Sequence, residues 1–115
     1  MIVGLSSLQN GSNMEQLNKV ELKSVVGNAK TQPIGDSYIT RFSVATDHAY
    51  KDKSGMPVIE TTWHQVVSFD KNAENLQRGD KVYVAGRIRN QRYMDASGNE
   101  RSTVEILSNK VEKLN

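Results

Sequence analysis

The chain has 115 residues, with 15 Lys and Arg against 13 Asp and Glu, no cysteine, and 37% hydrophobic residues. This length fits one domain, because domains usually contain about 100–150 residues. Without cysteine, a disulfide framework, a thiolate zinc site and thiol catalysis are excluded, which fits a reducing compartment. The net charge of +2 is too small to indicate a nucleic-acid partner by itself, so the positions of the charges matter.

The N-terminal residues 1–17 are predicted to form a flexible extension, because Ser, Gly and Asn dominate residues 6–13. Met14 is an alternative start. The apolar run of residues 1–5 is too short to span a bilayer and lacks the pattern of a secretory signal. A cytoplasmic protein without a membrane partner is therefore expected. The folded domain is predicted over residues 18–112, with residues 113–115 as the C-terminal end.

From Asn18 onward, segments rich in Val, Ile, Thr and Tyr alternate with turn-forming clusters, a spacing typical of short antiparallel strands. The first strand should bend or bulge near residues 24–27, where a doubled valine and a glycine interrupt the alternation. Residues 33–36 and 95–99 are predicted as turns, with Gly98 and Asn99 as the candidates for positive φ, and residues 50–57 as a polar loop. The five predicted strands cover residues 18–30, 37–48, 61–70, 81–93 and 100–107.

Residues 71–78 are predicted to form two helical turns, with Gly79 at the position that ends the helix. Five strands with a short helix between the third and fourth match the layout of an OB-fold, an all-β, five-stranded Greek-key barrel. The periodicity alone leaves an SH3-like barrel or another small meander open. Phe42 and Val44 share one strand face and are assigned to the core.

Positive charge is concentrated on the fourth predicted strand and its approach. Residues 78–93 contain five basic residues and one acid, a local balance of +4 within the total of +2. The basic residues are Arg78, Lys81, Arg87, Arg89 and Arg92. Basic side chains next to an aromatic residue suit a single-stranded nucleic acid, which needs cations for its backbone and flat surfaces for its bases. A solvated strand edge, protected by charge against aggregation, is an equally good interpretation.

Four of the seven aromatic residues fall in predicted loops or on faces that alternate with the core, namely Tyr50, Trp63, Phe69 and Tyr93. Trp63 shares its strand face with Gln65 and Phe69, which would form a platform open to bases. Stacking is worth about 1–3 kcal/mol per base, comparable to burying the ring, so core packing stays an equal alternative for Phe69. Tyr38 and Tyr83 fit either role.

No catalytic constellation is found in the sequence. His48 and His64 lack the spacing of a metal site, and no nucleophile elbow, phosphate-binding loop or dinucleotide fingerprint occurs. The sequence therefore predicts a protein that is not an enzyme and needs no metal or other cofactor.

Five segments of the chain resemble, in order, bacterial single-stranded DNA-binding proteins, the SSB family. These segments are Asn18–Leu22, Phe42–Thr46, Thr62–Phe69, Arg78–Arg89 and Asp95–Arg101. The resemblance implies an OB-fold that assembles as a homo-oligomer, a tetramer or a dimer. It also implies binding of single-stranded DNA without sequence preference, in replication, recombination or repair.

The resemblance implies roles for individual residues as well. Trp63 and Phe69 would stack on bases, as would Tyr50 and Tyr93, at positions where the family usually has tryptophan. His64 matches a histidine that lies near subunit contacts. Phosphate contacts are implied for Lys19, Lys51, Lys53, Lys71, Arg78 and Arg89, and the local charge adds Arg87 and Arg92.

Some residues depart from the family pattern. Tyrosine at two stacking positions, and Gln65 and Gln91 where relatives commonly have arginine, predict weaker binding, for which Arg87 compensates in part. The chain resembles a short form without the family's acidic tail, so recruitment of replication or repair enzymes by a tail is not expected. A primosomal-type OB protein that acts mainly through protein partners is the alternative, and a purely structural role also stays open.

Overall fold

The computed structural model describes residues 14–114. Its strands are β1 (Val20–Ile34), β2 (Ser37–Lys51), β3 (Pro57–Ser68), β4 (Lys81–Met94) and β5 (Glu100–Lys113). They form a closed barrel in the order β1-β2-β3-β5-β4, with β4 pairing back to β1. Neighbouring strands are antiparallel except β3 and β5, which run parallel. The predicted all-β OB-fold is therefore confirmed.

The predicted N-terminal extension is described only in part. Residues 1–13 lie outside the described residues, and residues 14–17 precede β1 without regular secondary structure. Within residues 14–114, no helix is long and apolar enough to cross a lipid bilayer.

The irregularity predicted in β1 is present and allows one long strand to close the barrel. The register between β1 and β2 shifts between Val26 and Ala29. The first part of the strand, residues 20–25, pairs with β4, whereas residues 29–34 pair only with β2. A bulge bends a strand and increases its twist, which is what a strand shared by two neighbours in a small barrel requires.

The barrel interior is filled by small branched side chains. The core cluster consists of Val26, Phe42, Val44, Val66, Ala73, Leu76, Val82, Val84, Ile106 and Val111. Valine suits this position because its branched side chain is stiff and packs well on a pleated surface. Phe42 is the one aromatic member of this described cluster, and it is 2% exposed. The remaining aromatic rings lie outside the cluster.

The two-turn helix predicted for residues 71–78 is wrong in extent, since only Lys71–Ala73 is helical, as a 3-10 turn. The chain after this turn pairs with β1. The Gly79 N–H donates to the Val26 carbonyl at 2.9 Å, and the Val26 N–H donates to the Asp80 carbonyl at 2.8 Å. Within the predicted second turn, the Gln77 N–H donates to the Asp80 carboxylate at 2.9 Å instead of to a helical carbonyl.

Asp70 connects the 3-10 turn to β5. One of its carboxylate oxygens accepts from the Asn72 N–H at 3.0 Å, and the other accepts from the Val111 N–H at 2.8 Å. The Asp70 N–H donates to the Ser68 hydroxyl at 3.1 Å. One residue thus ties together the end of β3, the turn and β5.

The hairpins β2–β3 and β4–β5 end in turns of the same construction. Their sequences are Asp52-Lys53-Ser54-Gly55-Met56 and Asp95-Ala96-Ser97-Gly98-Asn99. In each turn, the aspartate Oδ1 accepts from the N–H groups two and four residues later, at 2.9 Å. The glycine has a φ of 80° in the first turn and 82° in the second, and Asn99 does not share the predicted positive φ.

Two buried hydroxyl groups in the barrel differ in whether they have a hydrogen-bond partner. Ser24 is 8% exposed, and its Oγ is the one buried side-chain nitrogen or oxygen atom without a hydrogen-bond partner among the described residues. Thr40 is 1% exposed, and its Oγ1 lies 2.8 Å from Oγ1 of Thr31. An unpartnered buried hydroxyl costs about 1–3 kcal/mol, whereas a satisfied one stabilises the fold.

We expect Ser24→Ala to raise the free energy of unfolding by about 1 kcal/mol, because it removes an unpaired hydroxyl. The control Thr40→Val should lower it by about 1 kcal/mol, because it removes a paired one. Urea denaturation of both variants measures the effect. A Ser24→Ala variant less stable than the parent would contradict the prediction.

Candidate nucleic-acid interface

The outward face of β3 carries the two aromatic residues predicted to stack on bases. Trp63, Gln65 and Val67 share this face, which is opposite to the face of Val66 and Ser68, and Phe69 follows directly after the strand; Val67 is buried as well. Trp63 is 56% exposed and Phe69 is 53% exposed, so both rings are accessible. At about 3.3 Å per residue, roughly 20 Å of strand separates them.

Trp63 lies in a cleft beside the bulge of β1. The cleft has a volume of about 310 Å³ and is lined by Gly27, Asn28, Ser43, Trp63, Gln65 and Arg78. A Cβ atom on Gly27 would lie 2.5 Å from Cζ3 of Trp63, so the absence of a side chain there allows the indole to approach the backbone. Arg78 supplies the positive charge of the cleft, and it forms no ion pair with any described residue.

Phe69 lies in a larger groove between the start of β1 and the bulge that β5 forms opposite β4. The groove has a volume of about 710 Å³, and Lys19 and Arg87 supply its cations. The Asn18 side chain donates to the Ile88 carbonyl at 2.8 Å and accepts from the Ile88 N–H at 2.9 Å. Asn18, which was not assigned from the sequence, therefore holds the neighbouring Lys19 at the rim.

Tyr50 lies in β2 rather than in the predicted loop, because the β2–β3 hairpin is longer than expected. It pairs with Val58 and stacks on His48, with ring centroids 5.9 Å apart at an interplanar angle of 26°. The alternation of β2 places Tyr50 on the face of Val44, whereas Trp63 points to the opposite face of the hairpin. Tyr50 is 45% exposed, so it is accessible but separated from Trp63.

Tyr93 and Arg89 share the outward face of β4, but Arg89 already has a partner. Its Nε donates to Oε1 of Glu105 at 3.0 Å, and the Gln91 amide, turned to the orientation in which both of its groups are satisfied, donates to the same oxygen at 2.8 Å. The side chain of Glu105 is only 8% exposed. The sequence contained a signal for this pair, since the turn at residues 95–99 sets a hairpin register in which Glu105 faces Arg89.

The predicted phosphate-contact residues fall into two groups. In the first, Arg89 pairs with Glu105 as above, Lys19 lies 3.7 Å from Glu21, and Arg92 lies 3.4 Å from Glu100. The second group forms no ion pair with any residue from 14 to 114, and it consists of Lys51, Lys53, Lys71, Arg78 and Arg87. Exposed ion pairs are worth about 0–1 kcal/mol, so Lys19 and Arg92 can exchange their partners for phosphate, whereas Arg89 has a nearly buried partner.

His64 and Tyr83 make their contacts within the chain. Nε2 of His64 lies 2.9 Å from Oγ1 of Thr46, on the hairpin face that carries Val44, and its subunit contact stays a prediction. The Tyr83 hydroxyl donates to Glu21 at 2.5 Å, which lowers the pKa of Glu21 and raises the pKa of Tyr83. Tyr83 is thereby held against the barrel surface rather than offered to bases.

Comparison of the sequence with known proteins points to one family. The profile described as the single-strand binding protein family matches residues 17–114. The single-stranded DNA-binding protein of Neisseria meningitidis is 34% identical over 105 residues, which cover 85% of this chain and 60% of that protein. Single-stranded DNA-binding protein 1 of Xylella fastidiosa is 36% identical over 112 residues, covering 88% of this chain and 79% of that protein. The chain thus spans 60% of the length of the Neisseria relative.

Solved structures share the fold. The Plasmodium falciparum SSB in complex with single-stranded DNA superposes with a TM-score of 0.77 at 24% identity, covering 90% of this chain and 99% of that chain. The small single-stranded DNA-binding protein of Streptomyces coelicolor superposes with a TM-score of 0.61 at 19% identity, covering 84% and 95%. At these identities the similarity supports the barrel fold.

The contact between Gly27 and Trp63 predicts an effect that fluorescence can measure. We expect Gly27→Ala to move the indole away from the bulge, because the new Cβ would overlap it at 2.5 Å. The emission of Trp63, the one tryptophan, should shift to longer wavelength, and acrylamide should quench it more strongly. Lys23→Ala, on the same strand, is the control and should leave both properties unchanged. A Gly27→Ala variant with the parent's emission and quenching would count against this contact.

Proposed function

Because the chain belongs to the single-strand binding protein family, we propose that it binds single-stranded DNA without sequence preference. Trp63, Phe69, Tyr50 and Tyr93 stack on bases, while the lysine and arginine side chains around them contact phosphates. The protein coats and protects the strand in the cytoplasm during replication, recombination or repair. It catalyses no reaction in this role.

One observation carries the proposal. Each of the two exposed rings at β3 lines a cleft or groove together with a guanidinium that forms no ion pair within residues 14–114, Trp63 with Arg78 and Phe69 with Arg87. A single strand presents unstacked bases and a phosphate backbone together, so it is recognised by an aromatic surface next to a cation. A duplex hides the faces of its bases inside the stack. The arrangement therefore favours single-stranded over double-stranded DNA.

Titration of Trp63 fluorescence with oligo-dT at several salt concentrations tests this function directly. We expect quenching, and log K should fall against log[salt] with a slope of about −0.7 for each phosphate that the protein neutralises. Trp63 is the one tryptophan in the chain, so the signal needs no assignment. Absence of binding, or a binding constant that does not change with salt, would overturn the proposal.

Stacking and charge can be separated with two variants. Trp63→Ala should weaken binding by about 1–3 kcal/mol, because it removes a stacking ring. The control Lys53→Ala should weaken binding less, since Lys53 lies exposed at a hairpin tip and contributes charge only. Fluorescence anisotropy of a labelled oligonucleotide measures both variants without using tryptophan. Equal losses would contradict the stacking role of Trp63.

Self-association, as a dimer or a tetramer, is the second part of the proposal. Three apolar residues on one face of the β4–β5 hairpin, Ile88, Met94 and Val104, are 48%, 66% and 58% exposed. Burying such side chains is worth about 25 cal/mol per Å² of apolar surface, so contact with another protein surface is favoured. Light scattering at micromolar concentration should give the mass of a dimer or tetramer. The mass of a monomer would contradict self-association.

The same exposed face favours one other candidate function. A primosomal-type OB protein would use it mainly to bind a different protein, and its barrel would contribute little to DNA affinity. The salt titration separates the two candidates. Steep salt dependence with quenching of Trp63 supports DNA binding as the main function, whereas weak binding by a protein that is otherwise folded supports the alternative.

A further inference from the structure

Two cations that the proposed binding mode does not use face each other across β1 and β2. Lys30 pairs directly with Arg41 in the strand register, and both side chains are exposed. Neither forms an ion pair or a side-chain hydrogen bond with the described part of the chain. Like charges directly opposite on antiparallel strands destabilise a sheet. An anion bound between them would remove this repulsion.

Protection of a sheet edge does not explain Arg41. Charged residues on edge strands discourage aggregation, because an edge offers unpaired backbone groups. Arg41 is instead paired on both sides, with Lys30 of β1 and with Val67 of β3. Its charge therefore lies in the middle of a continuous outer sheet surface, where an edge-protecting role does not apply.

The register extends this pair into a row across the whole barrel. Val67 pairs with Leu107 of β5, and Leu107 pairs with Arg87 of β4. Paired residues point to the same face of a sheet, so these side chains form one outer row, which consists of Lys30, Arg41, Val67, Leu107 and Arg87. Strands lie about 4.8 Å apart, so the row follows the curved barrel surface for roughly 19 Å. Cations occupy both of its ends, and apolar side chains occupy its middle.

The outer row crosses β3 between the two exposed rings. Phe69 follows Val67 by two residues, and Trp63 precedes it by four residues, on the same face of the strand. Val67 is only 4% exposed, so neighbouring side chains cover it, and the accessible part of the row consists of its cations and the half-buried Leu107. A strand of DNA lying along the row would place phosphates at the charged ends and its bases near the rings.

We propose that Lys30 and Arg41 bind phosphates of single-stranded DNA where the DNA passes from the exposed rings of Trp63 and Phe69 toward the β1–β2 side of the barrel. The DNA path then runs across the strands, from Arg87 over Val67 to Arg41 and Lys30. This inference rests on the proposed function, and it adds two contacts that neither the charge pattern nor the family resemblance indicated.

The test uses Arg41→Gln, Lys30→Gln and the double variant, with anisotropy of a labelled oligo-dT measured over a series of salt concentrations. Each single variant should flatten the slope of log K against log[salt] by about 0.7, and the double variant by about 1.4. Quenching of Trp63 at saturation should stay unchanged, because the stacking ring remains. The melting temperature should stay equal or rise, since a repulsion is removed. Arg41→Lys should keep the parent's slope.

The matched control is Lys23→Gln, on the same strand as Lys30 but paired with Tyr83 and away from the outer row. It should keep the parent's slope. A double variant with the parent's slope, or equal flattening in the control, would overturn the inference while leaving DNA binding intact. A parent chain that does not bind the oligonucleotide would overturn the proposed function together with this inference.

Discussion

Closure of the barrel depends on a short parallel contact between β3 and β5, formed by the pairs Val66–Ile106, Val67–Leu107 and Ser68–Ser108. Asp70 reinforces this contact by accepting from the Val111 N–H. Five strands closed in this way enclose little volume, which valines and Phe42 fill. Most aromatic rings lie outside this interior, Trp63 three residues before the closing pairs and Phe69 directly after them. The contact between β3 and β5 that closes the barrel thus also positions the two exposed aromatic rings.

Features that depend on local pattern could be predicted from the sequence. The strand alternation identified Phe42 and Val44 as core, and the glycine within a doubled-valine segment identified the bulge of β1. Features that depend on distant contacts could not be predicted. After the 3-10 turn, the backbone of residues 79–80 is bonded to Val26, which lies far away in the chain, and the Gln77 N–H donates to the Asp80 carboxylate. The face occupied by Tyr50 depends on where the β2–β3 hairpin ends, and that end lies beyond the predicted strand.

The charged residues also divide into features that could be predicted from the sequence and features that could not. The sequence indicates which residues are cations, whereas the strand register decides which of them have partners. Arg87 and Arg89 lie two residues apart on one strand face, yet only Arg89 meets a nearly buried carboxylate. The register of each hairpin follows from its turn, so the pairs Arg89–Glu105 and Lys30–Arg41 are accessible to sequence reasoning. The step from Val67 to Leu107 is not, because it joins strands that no turn connects.

The hairpin turns at Asp52 and Asp95 have a consequence for how the protein can be modified. Each turn is held by its own aspartate and glycine, and the second residue, Lys53 or Ala96, takes no part in those bonds. Lys53 and Ala96 are therefore equivalent labelling positions at the tips of two different hairpins. A dye or a cross-linker can be attached there, or the residues of the two positions exchanged, without disturbing the hydrogen bonds of the turn. The distance between labels at these two positions would report how the two hairpins move when a ligand is bound.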